Sequence, residues 1–176
     1  MSKLLFLVRH GAAEHGANTT MLHDIDRELI STGIIESARM GKFLAEKGYK
    51  PDLIVSSPAN RAKDTAKIFA EQFHYLAEDI QIDDKIFGGG ARAYLENLVL
   101  IDENIKSVMM VGHNPDISFF SEYVTRPNFE DAMATAGVVI MDLGDTTWKN
   151  VTSKSGKFIA YYSPYAIAHP DEPEQK

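Results

Sequence analysis

The 176-residue sequence contains no cysteine. That excludes thiol nucleophiles, disulfides and thiolate metal sites, and it removes any cysteine-based sign of redox compartment. Long apolar runs are also missing. The first one, Leu4 to Val8, is too short for a signal-peptide core and meets Arg9 at once. No stretch approaches the roughly 18 residues that would span a bilayer. Positive charge is in deficit: 18 Lys and Arg stand against 25 Asp and Glu, a formal net charge of -7. Nucleic acid and acidic membrane surfaces both need a basic face, so neither suits this chain. An anionic substrate would need positive charge gathered locally. The expectation is a cytoplasmic enzyme or binding protein.

The remaining composition is that of a globular protein, with 44% apolar and 24% charged residues. The length fits one domain, expected over residues 1–164. Beyond Pro164, "YAIAHPDEPEQK" is polar and proline-interrupted, so 165–176 is expected to be a loose tail. No internal repeat, linker or low-complexity block divides the chain.

Short branched apolar runs alternate with segments of helical period. "KLLFLVR" (3–9), "DLIVSS" (52–57) and "SVMMVGH" (107–113) predict buried strands of a mainly parallel sheet. "TGIIESARMGKFLAEKG" (32–48) predicts a helix with Ile35, Ala38, Met40, Phe43 and Leu44 on its apolar side and Gly48 as its stop. A second helix is expected from Pro58 with Ser57 as cap, and a third around 91–102. A fourth should begin where Asn114 caps and Pro115 takes the first helical position. "GVVIMDL" (137–143), "TTWKNVT" (146–152) and "GKFIAYY" (156–162) predict strands at or near the sheet edge. The order argues for an α/β fold, a three-layer α/β/α sandwich on a mostly parallel sheet.

Polar residues fall at the carboxyl ends of the predicted strands, where open α/β sheets bind ligands. Arg9-His10-Gly11, Ser56-Ser57-Pro58 and Gly112-His113-Asn114-Pro115 are expected to converge there. Taken singly, each histidine reads as structural and Arg61 as a solvated surface charge. Together they suggest more. Arginine offers a planar, permanently charged fork for phosphate oxygens. Gly11 would let the backbone approach a ligand, and a neutral imidazole held through one nitrogen can attack with the other. Arg61 lies one turn into its helix, with Thr65 at i+4 on the same side.

"LVRHG", "SSPANRAKDTA" and "VGHNP" together resemble, in order and spacing, the three signature segments of the histidine phosphatase superfamily, over residues 3 to about 125. The resemblance implies a phosphoglycerate mutase-like fold. It implies that His10 attacks phosphorus and becomes phosphorylated, and that water then releases inorganic phosphate. Arg9, Arg61 and His113 would bind and stabilise the transferring group, with a phosphate holding His113 protonated. Gly11, Arg27 and Asn114 are candidate substrate contacts. No cofactor is implied, and the histidines show no metal-ligand spacing.

Departures from the family pattern narrow the expectation. The segment where many members carry a glutamate acid here reads "DDKIFGGGARAYLENL". Glu14, in the loop past His10, and Glu96, on a predicted helix, are the spare carboxylates, and Glu96 fits a solvated face better. A poor alkoxide leaving group needs an acid, whereas imidazole, whose conjugate acid has a pKa of about 6.5, needs much less help. The chain leaves little room for insertions that would wall in a small metabolite. It is similar to the small SixA-type phosphohistidine phosphatases in length, in "RHG" and in "DRELISTG" (26–33), although "RHG" is followed by Ala12-Ala13 rather than an acidic or hydroxyl residue. A phosphohistidine on a partner protein is the expected substrate. A small phosphate ester is the alternative, and a non-catalytic phospho-ligand-binding domain is the third reading. Arg27 has a second reading too, as a surface partner of Asp24 or Glu28.

Overall fold

The computed structural model describes residues 2–16, 21–127 and 129–173. Its strands are β1 (Lys3–Arg9), β2 (Leu53–Ser56), β3 (Gln81–Ile82), β4 (Ser107–Gly112), β5 (Thr125–Arg126), β6 (Val138–Gly144) and β7 (Gly156–Tyr162). The helices are α1 (Met21–Asp26), α2 (Ser31–Glu46), α3 (Asn60–Gln72), α4 (Gly90–Leu98), α5 (Asp116–Val124) and α6 (Pro164–Ala168). The strands form one sheet in the order β3-β2-β4-β1-β6-β7-β5. β1, β2, β3 and β4 pair in parallel, β6 is antiparallel to both β1 and β7, and β5 is parallel to β7. Only β6 therefore runs against the others among the described strands.

Both faces of the central strands are apolar, so side-chain alternation supplies two cores. Leu5, Leu7, Val108, Met110, Val139 and Met141 share one core with Tyr94 and Leu98 of α4 and with Ile117, Phe120 and Val124 of α5. Phe6, Val8, Met109, Val111, Val138 and Ile140 share the other with Met40 and Leu44 of α2 and Ala62, Ala66 and Phe69 of α3. The result is the expected three-layer α/β/α arrangement.

Helix ends follow local chemistry. At the end of α2, Gly48 adopts φ +86, its N–H donates to Ala45, and the Tyr49 N–H reaches back to Leu44. These bonds close the helix through a left-handed residue that glycine adopts without strain. The packed side of α2 is smaller than its apolar pattern suggests. Gly33, Ser37 and Gly41 are buried with Met40 and Leu44, while Ile34 and Ile35 are exposed. Small residues are needed because a Cβ on Gly33 would lie 2.1 Å from the Ala12 carbonyl oxygen.

Several expectations change. α3 starts at Asn60, and the Ser57 hydroxyl accepts from the Ala59 N–H just before the helix. Asn114 does not cap α5, which starts at Asp116. Its amide donates to the Met133 carbonyl and accepts from the Ser118 hydroxyl. Residues 146–152 do not form a strand: Trp148–Asn150 make a 3₁₀ turn. Trp148 and Val151 are buried three residues apart, a turn spacing rather than the two-residue strand period. The Trp148 indole N–H is satisfied by the Ile105 carbonyl. Residues 165–168, expected to begin a loose tail, belong to α6, which is capped by the Ser163 hydroxyl. Ile167 of this helix joins the second core. Among the described residues, no helix is long and apolar enough to cross a membrane.

Gly112 ends β4 directly beneath Tyr94, where a Cβ would lie 1.9 Å from the phenol oxygen. Gly112→Ala should therefore destabilise the protein by about 1–3 kcal/mol or more in urea unfolding, as overpacked cores do. Adding Tyr94→Phe, which removes that oxygen, should recover part of the loss.

Candidate active site

The carboxyl ends of β1, β2 and β4 carry the polar residues singled out above. Parallel pairing sets Arg9 opposite Gly112 and Ser56 opposite Val111, and it continues as His10 N–H donates to the Gly112 carbonyl and Ser57 N–H to that of Val111. The backbone ladder thus brings His10, Ser57 and His113 together. The two imidazole centroids lie 5.3 Å apart.

His10 is held by its own chain. Its Nδ1 sits 2.7 Å from the Gly11 carbonyl oxygen. A carbonyl can only accept, so Nδ1 carries the proton and Nε2 keeps its lone pair. The Arg61 Nε lies 3.4 Å from that Nε2. Burial pushes the His10 pKa down to about 4; the Gly11 bond opposes this, while Arg61, Arg9 and Arg27 reinforce it. The ring is uncharged at neutral pH.

Gly11 serves the scaffold. Its N–H donates to Thr65 Oγ1, and that hydroxyl donates to the Arg61 carbonyl. A Cβ there would crowd Ser37 and the Gly33 carbonyl of α2. The clearance therefore admits a helix rather than the ligand envisaged from sequence. Thr65, flagged by its i+4 spacing, ties the loop after His10 to the helix that bears Arg61.

Arg61 is buried, with 5% of its surface exposed, although arginine seldom is. Its guanidinium donates to the Asp24 carbonyl at 2.5 Å and to Asp24 Oδ2 at 3.0 Å. Arg27 contacts Asp24 Oδ1 at 2.6 Å and the Glu14 carbonyl at 2.5 Å. The anticipated Asp24–Arg27 pair is thus present, but the same carboxylate also braces Arg61. Partial burial alone would raise the Asp24 pKa, yet the two arginines hold it below the usual carboxylate value. Sequence reasoning missed this bridge, because the three-residue spacing from Asp24 to Arg27 signals one pair and nothing in it signals Arg61.

Arg9 donates to the Met133 carbonyl at 2.9 Å, and its buried Nε has no partner among the described residues. His113 donates its backbone N–H to the Tyr94 hydroxyl, and its ring Nε2 lies 2.6 Å from Ser57 Oγ. Burial, then the proximity of His10 and Arg61, lowers the His113 pKa to about 3. The ring is thus neutral by itself, and the charge expected for it depends on a bound phosphoryl group, which would push its pKa in the opposite direction.

The side chains of the remaining candidates have other partners. The Glu14 carboxylate accepts from the Glu28 N–H. Glu96 is paired with Arg92 and Lys85 on the solvated side of α4. Asn114 binds Met133 and Ser118, as described. Among the described residues, no group of histidines and carboxylates could hold a metal ion.

Comparison with known proteins finds likenesses of sequence and fold. Residues 5–86 match the family model of the histidine phosphatase superfamily, branch 1. The structure of the SixA protein from Agrobacterium tumefaciens superposes with a TM-score of 0.75 at 25% identity, covering 92% of this chain and 98% of that one. A protein histidine phosphatase SixA complexed with tungstate gives 0.78 at 20% identity, covering 93% and 99%. Among curated sequences, a 2,3-bisphosphoglycerate-dependent phosphoglycerate mutase from Nocardia farcinica is 33% identical over 92 residues, which span 50% of this chain and 38% of that enzyme. An uncharacterised chloroplast protein of Arabidopsis thaliana is 23% identical over 89% of this chain and 73% of its own length.

The lowered histidine pKa values have a consequence for stability. In the unfolded chain both rings protonate near pH 6.5, but in the native protein His10 resists until about 4 and His113 until about 3. The unfolded state therefore binds more protons in that window, and stability falls as pH is lowered through it. The expected loss is about 1.4 kcal/mol per pH unit for each histidine. Urea unfolding between pH 7 and 4.5 checks this, and a His10→Asn/His113→Asn protein should show a flatter profile.

Proposed function

We propose that this chain, whose residues 5–86 match the family model of the histidine phosphatase superfamily, is a phosphatase that uses His10 as a covalent nucleophile, with phosphohistidine on a partner protein as its substrate. The observation that carries the reading is the state of His10: an uncharged ring, its Nδ1 proton committed to Gly11, and a lone pair on Nε2 beside the Arg61 guanidinium. That is a nucleophile ready without a separate base.

In the first step Nε2 forms a bond to phosphorus as the bond from phosphorus to the substrate nitrogen breaks. The leaving imidazole takes the bonding pair. With its second nitrogen already protonated, it departs as a neutral ring and needs no acid. Water then attacks the phosphorus on His10, releasing inorganic phosphate and restoring Nε2. Arg9, Arg27 and Arg61 against Asp24 leave two net positive charges, matched to a phosphoryl dianion. His113 adds a hydrogen bond or, once protonated beside that dianion, a third charge. These groups stabilise charge on the transferring oxygens in a buried setting where such contacts are strong.

The preference for a phosphorus–nitrogen bond is supported by the carboxylates. Asp24 is held ionised by two arginines, Glu14 is turned to the Glu28 N–H, and Glu96 lies on a surface ion pair. None of the three is placed to hand a proton to an alkoxide. Likeness over nearly the full chain to SixA, described as a protein histidine phosphatase, supports the same substrate class. The competing reading, a small phosphate ester, draws on a mycobacterial glucosyl-3-phosphoglycerate phosphatase that superposes with a TM-score of 0.62.

Turnover on a phosphohistidine protein and on a sugar phosphate separates the two. Faster phosphohistidine cleavage is expected, with little change in Glu14→Gln; much faster ester cleavage would overturn the substrate assignment. Acid-labile, alkali-stable phosphate should be trapped on the wild type and absent from His10→Ala. If the protein only binds phosphorylated ligands, none is trapped. Arg61→Ala should lower kcat by about 10²–10³-fold, as removal of one transition-state donor does.

A further inference from the structure

Ser57 lies in the segment between β2 and α3, and its hydroxyl is 2.6 Å from Nε2 of His113. The residue is wholly buried, and its backbone and oxygen are already engaged. Its N–H donates to Val111, its carbonyl accepts from the Ser56 hydroxyl, and its Oγ accepts from the Ala59 N–H. A serine hydroxyl has one proton to give. With the Ala59 N–H pointing at the oxygen, the acceptor for that proton is the imidazole. His113 is equally fixed from its own side, through the backbone bond to Tyr94 and an edge contact with Phe87. Its other ring nitrogen, Nδ1, is buried and has no partner among the described residues, although the ring stands 5.3 Å from His10.

We propose that Ser57 is a positioning residue: its hydroxyl donates to His113 Nε2, places the proton of the neutral ring on Nδ1, and so presents Nδ1–H as the donor to the transferring phosphoryl group. The opposite tautomer would spend the ring's proton on Ser57, leave the serine proton without an acceptor and aim a lone pair at an anion. Both consequences are unfavourable, the second because a lone pair repels phosphoryl oxygens. The assignment also explains a buried unpartnered nitrogen, which folded proteins seldom retain without use. It further requires His113 to be uncharged before phosphate arrives, in keeping with its burial beside Arg61. The inference rests on the phosphatase reading for the role of Nδ1–H, but not for the tautomer itself.

Nitrogen NMR of ¹⁵N-histidine-labelled protein at pH 7 reads the tautomer without any substrate. In the wild type, the His113 signals, assigned by their loss in His113→Asn, should show Nδ1 protonated and Nε2 as the acceptor. In Ser57→Ala that preference should collapse towards a mixture. On phosphohistidine substrate Ser57→Ala should lower kcat about 10- to 100-fold, with KM changed by less than about threefold. Ser57→Thr, which keeps the hydroxyl, should restore both the tautomer and most of the turnover. A wild-type His113 protonated on Nε2, or a Ser57→Ala protein with the wild-type tautomer, would overturn the proposal. Absence of turnover in a wild type with the expected tautomer would instead count against the phosphatase reading.

Discussion

The arrangement depends first on the parallel backbone pairing of β1 with β4 and of β4 with β2. Three neighbouring strands run the same way and in fixed register, so their last residues fall along one edge. A one-residue slip would turn Leu5, Leu7, Val108 and Met110 from one core to the other and separate His10 from His113. The two apolar faces hold the register, and the register holds the chemistry. α3 then leads from that same edge and delivers Arg61.

The second constraint is electrostatic. Burying a guanidinium is costly unless it is paired, and Arg61 is almost completely buried. Asp24 meets that cost through a carboxylate oxygen and a backbone carbonyl, while its other oxygen takes Arg27. The carboxylate is thus part of the positive cluster: it sets the orientation of two arginines and trims their total charge. The neutral histidines are the complement, since two further cations beside these arginines would make the cluster strongly self-repelling.

Legibility in the sequence followed the strength of local rules. Strand-terminal residues such as Arg9, His10 and His113 stand out because a short continuous apolar run must end somewhere, and polar residues there are conspicuous. Arg61 followed from its place in the first turn of a helix. Asp24 was visible only as a neighbour of Arg27, because its contact with Arg61 spans 37 positions and depends on tertiary placement. Ser57 reads as a helix cap, and it does accept from Ala59, but its bond to His113 crosses two elements. Trp148 differs in another way: residues 146–152 read as a strand at or near the sheet edge, whereas Trp148 and Val151 enter the core from a turn. Gly11 reads from sequence as clearance for a ligand, and what approaches it in the fold is α2.

The Met133 carbonyl accepts at 2.9 Å from Arg9 and also at 2.9 Å from Asn114. Nearby, the Ala136 N–H is shared between the carbonyls of Arg9 and His10. One peptide segment thereby fastens the arginine at the end of β1, the asparagine before α5 and the backbone of His10. Such a fastening makes the segment a lever: a displacement of Met133 would be felt at Arg9 and Asn114 in the same instant. Changes in the sequence of this outer segment would then shift Arg9 and Asn114 while leaving both residues unaltered.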